Sequence, residues 1–233
     1  AISHRGAPLF APTRLVSAPP SKSYLHREII AAMLSGSDLG LDTKELSDDI
    51  VATYEAVKII SNHANYSAVG ILESSIVSED DKLILECKES GSTLRFLLPV
   101  VAALGLDAEF KLTGRLRERP MHQLISQLEE HDASITLSDS GSISISASSS
   151  HITPGEFNFT NPESSQYISG LLFALPLLNG DSVIRVHNNL ESYSYVLITL
   201  DVLGKYGIKV DYSHTNKEWV FNIPGNQTYT FTD

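Results

Sequence analysis

The segment Ala18-Pro19-Pro20-Ser21-Lys22-Ser23-Tyr24-Leu25-His26-Arg27 opens on two prolines and continues with a helical pattern. A proline ring does not fit a helix interior, and it pushes the preceding residue toward extended backbone. Ser21 is therefore predicted as the N-cap of a helix that runs to Leu34. The apolar face of this helix is formed by Leu25, Ile29, Ala32 and Met33.

Lys22 and Ser23 fall in the first turn of this helix, and Arg27 lies four residues after Ser23 on the same side. Free backbone N–H groups and the positive end of the helix dipole make a first turn attractive to an anion. A lysine there is unfavourable beside the positive end of the helix dipole. Lys22 is therefore better explained by a negatively charged ligand than by helix stability. From this segment alone, an ordinary surface lysine and arginine remain the alternative.

The composition limits what such a ligand can be. The chain has 233 residues, with 17 Lys and Arg against 28 Asp and Glu, so its net charge is −11. This acidic balance argues against broad nucleic-acid binding, which requires a basic face. A small anion remains possible if the scarce cations are concentrated in one cleft.

Several other classes of protein are disfavoured. The sequence has no apolar run long enough to span a membrane, and Ala1–Phe10 lacks a signal-peptide pattern. Cys87, the single cysteine, lies in an apolar strand pattern and is interpreted as a core residue. No phosphate loop, dinucleotide fingerprint, nucleophile elbow or metal-ligand spacing is present, so we expect neither cofactor nor metal. We expect a cytoplasmic protein.

The order of predicted elements repeats along the chain. Each of three rounds, of roughly 65 residues, is interpreted as a β/α unit. The first round includes a short strand at Leu39–Leu41 and ends on strands near Tyr66–Leu72 and Lys82–Cys87. The third contains Tyr167–Leu178, a predicted helix that is apolar on all sides and therefore buried. Such units pack around an axis, here with helices at the centre and sheets outside.

Hydroxyl side chains mark the helix starts in all three rounds. Serine is a common N-cap, so each one alone is interpreted as structural. If the units pack around an axis, however, several helix N-termini converge on one cleft that binds phosphate or carboxylate. These hydroxyl residues are Ser21, Ser23, Ser90, Ser92, Thr93, Ser164, Ser165 and Ser192.

Arginines add charge and geometry to this pattern. The turn Arg115-Leu116-Arg117-Glu118-Arg119-Pro120 holds three of them, and guanidinium groups match phosphate and carboxylate in bidentate fashion. The alternative is a solvated basic turn partly neutralised by Glu118. Arg95, inside the apolar predicted helix Leu94–Leu104, is expected to be paired internally or to face a cleft.

Five motifs, in order and at compatible spacing, resemble the N-terminal half of the 5-enolpyruvylshikimate-3-phosphate synthase family. Together they span most of the chain and are highly specific, whereas the arginine turn alone is not. The motifs are Pro20-Ser21-Lys22-Ser23 with Arg27, Glu89-Ser90-Gly91-Ser92-Thr93-Leu94-Arg95-Phe96, Leu116-Arg117-Glu118-Arg119-Pro120, Ser164-Ser165-Gln166-Tyr167, and Ser192 with Tyr195.

The resemblance implies an α/β (α+β) enolpyruvyltransferase-type domain, in which three βαβαββ units surround a pseudo-threefold axis, with helices buried and sheets outside. It implies that residues 1–16 form a strand region belonging to the other domain, and that 17–225 form the shikimate-phosphate-binding domain. The three repeats are then 17–88, 89–150 and 151–225, and 226–233 begin the crossover to the other domain.

The resemblance also implies the reaction, which transfers the enolpyruvyl group of phosphoenolpyruvate to the 5-hydroxyl of shikimate 3-phosphate and releases phosphate. In the family this addition and elimination needs no metal and no covalent enzyme intermediate. The implied partners are these two small anions and the C-terminal half of the same enzyme, in a monomer, without nucleic acid or membrane.

Residue roles follow from matching positions in the family. Lys22 resembles the catalytic lysine that touches both substrates. The implied shikimate 3-phosphate ligands are Lys22, Ser23, Arg27, Ser164, Ser165, Gln166, Ser192 and Tyr195, of which Ser164, Ser165 and Ser192 hold the phosphate. The implied phosphoenolpyruvate ligands are Lys22, Gly91, Arg119 and Gln166. Arg95 matches a family position without an implied ligand role.

The sequence departs from the family at three places. Glu89-Ser90-Gly91-Ser92 stands where many relatives have Asn-Ala-Gly-Thr, and we expect the Glu89 carboxylate to point away from an anion site. Tyr24-Leu25-His26 replaces smaller polar residues, and Ser194 stands where proline is frequent. These differences indicate a divergent branch that keeps the main ligand set.

Members of the family are longer than this chain, and the resemblance places the aspartate proton acceptor and further phosphoenolpyruvate ligands in the other half. We therefore expect the chain alone to be inactive, because closure of two domains around substrate cannot occur. Two alternatives stay open. One is the related enzyme acting on UDP-N-acetylglucosamine, whose arginine loop typically carries a cysteine that Arg115–Arg119 lacks. The other is a non-catalytic anion-binding domain.

Overall fold

The computed structural model of the chain describes residues 21–64, 82–138, 141–146 and 152–232. Its α-helices are α1 Lys22–Leu34, α2 Asp48–Ala64, α3 Gly91–Leu104, α4 His122–Glu130, α5 Ser165–Ala174 and α6 Tyr193–Lys205. Its strands are β1 Leu83–Lys88, β2 Ala108–Leu112, β3 Ser134–Leu137, β4 Ser142–Ser146, β5 Glu156–Thr160, β6 Ser182–His187, β7 Asp211–His214 and β8 Glu218–Ile223. Short 3-10 helices cover Thr43–Glu45, Gly114–Glu118 and Leu175–Leu177.

Two units of identical topology account for all eight strands. In the first, β1 and β2 pair in parallel, β2 pairs with β4 in antiparallel fashion, and β3 completes the sheet as the outer hairpin strand. The second unit repeats this order as β5, β6, β8 and β7. Each parallel pair is joined by a crossover helix, α3 or α5, as parallel strands require. The βαβαββ repeat is therefore present twice within the described residues.

The structure corrects one boundary of the predicted repeats. The strand predicted near Lys82–Cys87 was placed at the end of the first repeat, 17–88, but the corresponding β1, Leu83–Lys88, pairs with β2 across α3, so it opens the second unit. A crossover helix joins neighbouring parallel strands of one sheet, so both of these strands belong to the same unit. The predicted strand at Tyr66–Leu72 and the predicted region 1–16 lie outside the described residues.

The short strand predicted at Leu39–Leu41 is not found, since this segment pairs with no strand among the residues that the structure describes. Two aspartates make local turns that compete with extended pairing. The Asp38 carboxylate accepts a hydrogen bond from the backbone N–H of Gly40 (2.9 Å), and Asp42 accepts one from Lys44 (3.1 Å). The helix predicted over Tyr167–Leu178 is present but ends at Ala174 and continues as a 3-10 turn, where Pro176 lacks a backbone N–H.

Helices lie at the centre and sheets outside, as the sequence predicted. Almost every residue of α3 and α5 is buried, and these two helices pack directly on each other. Gly170 makes this close approach possible, because a Cβ at that position would overlap the backbone carbonyl of Arg95. Cys87 is fully buried, and burial raises the pKa of its thiol to about 12, which agrees with its interpretation as a core residue.

Candidate functional site

Four helices begin at serine N-caps, and the structure separates these serines into two kinds. Ser90 and Ser164 cap α3 and α5 with their side chains, accepting hydrogen bonds from the backbone N–H groups of Thr93 and Gln166 (both 3.2 Å). Ser21 and Ser192 precede α1 and α6 without a side-chain cap. The hydroxyls of the second pair are therefore not used by their own helices.

Ser192 also has an unusual backbone. Its φ of 56° and ψ of 33° place it in the left-handed region, which side chains other than glycine occupy at a cost. The residue is exposed at the start of α6, and its hydroxyl makes no capping bond. Backbone strain at a residue that does not cap its helix motivates a functional hypothesis, so Ser192 is a candidate site residue.

Arg27 is buried, with 3% of its surface exposed, and it joins three helices. Its Nη1 donates to the carbonyl of Ser23 (2.6 Å) and its Nη2 to the carbonyl of Tyr195 (2.9 Å), which links the first turns of α1 and α6. Its Nε donates to Thr199 Oγ1 (2.7 Å), and its Nη2 also donates to Ser169 Oγ (3.4 Å) on α5. The guanidinium carbon lies 4.9 Å from the ring centroid of Phe96 on α3. One of the five guanidinium N–H groups, on Nη1, is left for a ligand among the described contacts.

Arg95 makes the corresponding link between α3 and α5. Its Nη1 donates to Gln166 Oε1 (3.0 Å) and to Ser164 Oγ (3.4 Å), and its Nη2 donates to the carbonyl of Pro120 (3.1 Å). Its Nε is buried with no hydrogen-bond partner in the described part of the chain. The Gln166 amide is oriented from both ends, because its Nε2 donates to Ser92 Oγ (2.8 Å). Arg95 is therefore paired internally, as one of its two predicted alternatives states.

Gly91 and Arg119 meet at the start of α3. A Cβ on Gly91 would come within 2.9 Å of Arg119 Nη1, so any other residue there would displace this guanidinium. Arg119 is exposed, whereas Arg117 in the same turn is used by the fold, since its Nε donates to the carbonyl of Leu112 (2.9 Å). The arginine turn thus contributes one exposed guanidinium beside the α3 N-terminus.

Lys22 is mostly exposed at the start of α1. Its Nζ lies 3.7 Å from Asp49 Oδ2 at the start of α2, and the two side chains are 60% and 46% exposed. An ion pair of this length and exposure contributes little to stability. Lys22 is therefore held loosely and remains accessible to a ligand.

The electrostatics of the site follow from these placements. Arg27 and Arg95 are both buried, and neither forms a salt bridge with a carboxylate of residues 21–64, 82–138, 141–146 or 152–232. Burial lowers the pKa of Arg27 to about 10 and lowers that of Arg95 in the same direction, so both stay charged at neutral pH. Two buried cations without an acid partner, set among helix N-termini, form a field that favours a bound anion.

The structure thus brings the predicted residues together in two groups. Around Arg27 lie Ser23 and Tyr195, in the first turns of α1 and α6. Around Arg95 lie Gln166, Ser164 and, through Gly91, Arg119. Helix α5 connects the groups, because it begins with Ser165 and Gln166 and carries Ser169 one turn later. In the described part of the chain, no hydrogen bond joins the Ser192 side chain to that of Ser165, although α5 and α6 pack together.

Sequence analysis missed Ser169 and Thr199, two buried hydroxyls that hold Arg27 and bond each other (2.8 Å). A signal was present in the sequence. Each is a polar residue inside an apolar helix, four positions after Ser165 and Tyr195, respectively, and that spacing puts it on the same helix face.

Two further features are absent from the described ranges. No cluster of three or more histidine, cysteine, aspartate or glutamate side chains there is arranged to hold a metal ion. Among the same residues, no helix is both long enough and apolar enough to cross a membrane.

Comparison with curated proteins finds related sequences. One, a 3-phosphoshikimate 1-carboxyvinyltransferase from Clostridium kluyveri, is 39% identical over 229 residues, covering 95% of this chain and 52% of the relative. A second, of the same name, from Clostridium acetobutylicum is 36% identical over 218 residues, covering 91% and 50%. The chain spans about half the length of the curated relatives that it matches.

Solved structures share the fold at lower identity. EPSP synthase from Acinetobacter baumannii superposes with a TM-score of 0.64 at 20% identity, covering 93% of this chain and 48% of that one. The enolpyruvyl transferase NikO from Streptomyces tendae gives a TM-score of 0.50 at 17% identity, covering 90% and 48%. The predicted enolpyruvyltransferase-type α/β fold is thereby confirmed. The profile of the family described as EPSP synthase (3-phosphoshikimate 1-carboxyvinyltransferase) matches residues 13–232, and the chain belongs to this family.

Proposed function

We propose that the protein to which this chain contributes transfers the enolpyruvyl group of phosphoenolpyruvate to shikimate 3-phosphate. The observation that carries the proposal is the pair of buried guanidinium groups, Arg27 and Arg95, which form no salt bridge with a carboxylate of the described residues. The predicted ligands lie around these two groups. Both substrates are polyanions, so a site of this charge suits them. Membership of the family and two relatives named for this reaction support the same conclusion.

In this proposal the shikimate 3-phosphate side is built on α1, α5 and α6. Ser164, Ser165 and Ser192 hold the phosphate with their hydroxyls and with the N–H groups of two helix starts. Arg27 gives its remaining N–H to the substrate and keeps Ser23 and Tyr195 in place through their carbonyls. Gln166 offers its second amide hydrogen, because its oxygen and first hydrogen are engaged by Arg95 and Ser92.

The phosphoenolpyruvate side is built on the start of α3 and the arginine turn. Arg119 supplies an exposed guanidinium, and Gly91 leaves the space in which that group and an anion meet. Lys22, held loosely by Asp49, reaches the junction of the two substrates as the proposed catalytic cation. It stabilises negative charge that develops between them.

The reaction balances without a cofactor. The 5-hydroxyl oxygen of shikimate 3-phosphate bonds to C2 of phosphoenolpyruvate, while C3 gains a proton and the hydroxyl loses one. Loss of a C3 proton and cleavage of the C2–O bond to phosphate then yield the enol ether and inorganic phosphate. This chain binds and orients the reactants, and the family resemblance assigns proton transfer to the other half. A monomer in the cytoplasm remains a prediction.

Ligand-dependent stabilisation of the purified chain tests the proposal. A ligand that binds the folded state alone adds about 2.7 kcal/mol of stability at a hundredfold excess over its Kd. We expect shikimate 3-phosphate to raise the Tm and UDP-N-acetylglucosamine to leave it unchanged. The reverse result would assign the site to the UDP-sugar enzyme, and turnover by the chain alone would contradict the expectation that the chain is inactive by itself.

A further inference from the structure

A buried chain of hydrogen bonds lies beside the proposed site and is not used by it. His26 Nδ1 on α1 lies 2.7 Å from Thr53 Oγ1 on α2. Thr53 Oγ1 lies 2.7 Å from Thr93 Oγ1 on α3, and Thr93 Oγ1 donates to Ser90 Oγ (2.7 Å). All four residues are buried, Thr53 and Thr93 completely. The chain therefore connects α1 to the N-cap of α3 through the apolar interior.

Each threonine has one hydroxyl proton, and we assign it to the 2.7 Å contacts rather than to the longer contacts with the Asp49 carbonyl (3.2 Å from Thr53 and 3.4 Å from Thr93). Thr93 spends its single hydroxyl proton on Ser90, so its oxygen must accept from Thr53 in their 2.7 Å contact. Thr53 has then spent its own proton, so its oxygen must accept from His26 Nδ1–H. His26 is a neutral donor here, because burial lowers its pKa to about 4. This assignment fixes the Nδ1–H tautomer of the imidazole.

The two ends of this hydrogen-bond chain lie next to the two parts of the proposed phosphoenolpyruvate site, Lys22 and the start of α3. His26 is four residues after Lys22 on α1, and Ser90 directly precedes Gly91 on α3. Asp49, which pairs with Lys22, also places its backbone carbonyl at the middle of the chain, 3.2 Å from Thr53 Oγ1 and 3.4 Å from Thr93 Oγ1. A shift of any link would therefore change the separation of Lys22 from the start of α3.

We propose that His26, Thr53 and Thr93 are positioning residues, which hold Lys22 and the α3 N-terminus in the register that phosphoenolpyruvate requires. The inference rests on the proposed function and deepens it. Shikimate 3-phosphate depends less on this register, since most of its proposed ligands lie on α5 and α6. The hydrogen-bond chain therefore affects the binding of phosphoenolpyruvate more than the binding of shikimate 3-phosphate.

Thr93→Val is the decisive variant. It is close in shape to threonine and keeps the backbone N–H that donates to Ser90, so the cap of α3 survives while the hydroxyl link is lost. Thr93→Ser restores the hydroxyl and serves as the matched control. Two readouts are combined on the purified chain: nitrogen chemical shifts of the His26 ring by NMR, and calorimetric titration with phosphoenolpyruvate and with shikimate 3-phosphate.

We expect the wild type and Thr93→Ser to show the Nδ1–H tautomer of His26, and Thr93→Val to populate both tautomers, because Thr53 is then free to donate to the ring. We expect Thr93→Val to weaken phosphoenolpyruvate binding roughly three- to tenfold, as the loss of one buried hydrogen bond does, and shikimate 3-phosphate binding less than about twofold. An Nε2–H tautomer of His26 in the wild type would overturn the proposal. Equal weakening of phosphoenolpyruvate binding and shikimate 3-phosphate binding in Thr93→Val would also overturn it.

The two readouts separate this inference from the proposed function. If the wild type binds neither ligand, the proposed function of the isolated chain fails, and the positioning role fails with it even where the Nδ1–H tautomer is observed. If both ligands bind and the ring shows the Nε2–H tautomer, the proposed function stands and the positioning role alone is refuted.

Discussion

Arg27 and Arg95 invite comparison, because each is a buried guanidinium that ties two or more helices together at the proposed site. Arg27 makes four hydrogen bonds to buried hydroxyls and carbonyls of α1, α5 and α6. Arg95 makes three, to the Gln166 amide, a serine and a loop carbonyl, and its Nε has no partner in the described chain. Both stack on an aromatic ring, Phe96 or Tyr167.

The difference indicates two ways in which a fold prepares a cation for an anionic ligand. Four of the five N–H groups of Arg27 are held by rigid partners, so the guanidinium is preorganised and costs the ligand little ordering. The Arg95 group orients Gln166 and Ser164, which are themselves proposed ligands, so it acts one contact away from the substrate. The part of the site around Arg27 is therefore held by more rigid partners than the part around Arg95.

The largest effect is expected from removing Arg27. Arg27→Ala deletes four hydrogen bonds and leaves Thr199 and Ser169 in an apolar cavity, so we expect the free energy of unfolding in urea to fall by about 3–5 kcal/mol. Arg27→Lys keeps the charge without the planar fork and should lose less. A loss below about 1 kcal/mol in Arg27→Ala would show that the rigid network does not hold the domain together.

The next largest effect is a pH dependence next to Arg27, where His26 stacks edge-on to the same Phe96 ring. The folded pKa of His26 is lowered from 6.5 to about 4, chiefly by burial. Between these values the unfolded chain binds a proton that the folded chain does not. The contribution is therefore fully present above pH 6.5 and is lost as the pH falls toward 4, by about 3 kcal/mol in total.

His26→Asn is the control for this prediction, since it keeps a short amide donor toward Thr53 but cannot titrate. Unfolding in urea at pH 7, 6, 5 and 4.5 should show the wild type losing more stability than the variant. Parallel curves for the two proteins would mean that His26 titrates normally and that the region beside Arg27 is more open to water than the structure indicates.

Arg95→Met is expected to affect ligand binding more than stability. The variant keeps the apolar contact with Tyr167 but frees Gln166 and Ser164, so we expect shikimate 3-phosphate affinity to fall roughly tenfold and stability by about 1 kcal/mol. Calorimetry and urea unfolding measure the two effects, with Arg95→Lys as the charge-retaining control. A stability loss as large as that of Arg27→Ala would remove the distinction between the two arginines.

The smallest effect on stability is expected at Ser192, with opposite signs for folding and binding. Ser192→Gly relieves the left-handed backbone and should raise the free energy of unfolding by a few tenths to about 1 kcal/mol. The same change removes a proposed phosphate ligand and should weaken shikimate 3-phosphate binding. Ser192→Ala removes the hydroxyl but keeps the strain. Equal binding by all three proteins would remove Ser192 from the site.

Much of the architecture could be predicted from local signals. The helix after Ser21 and the buried helix after Ser164 follow from capping and apolar runs, and the structure confirms both of them. The misplaced β1 shows the limit of this approach. Nothing in Leu83–Lys88 indicates whether it pairs with an earlier or a later strand, because pairing is decided by the crossover helix and not by the strand itself.

The candidate site, like the fold, could be predicted from the sequence only in part. Hydroxyls at helix starts and clustered arginines indicated an anion site, and the order of motifs indicated the family. The acceptors of Arg27 were not predicted, because Ser169 and Thr199 gain their role only when α1, α5 and α6 pack. The ligand roles of the named residues stay predictions, which the variants above are designed to test.

The most direct test of the central claim compares two ligands that differ only in a phosphate. Calorimetric titration of the purified chain with shikimate 3-phosphate and with shikimate should be repeated for Ser165→Ala. We predict that the wild type binds shikimate 3-phosphate far more tightly than shikimate, and that Ser165→Ala loses roughly tenfold in affinity for the phosphate ester alone. Equal affinity for both ligands, or an unchanged affinity in the variant, would contradict a preformed phosphate site at these helix N-termini.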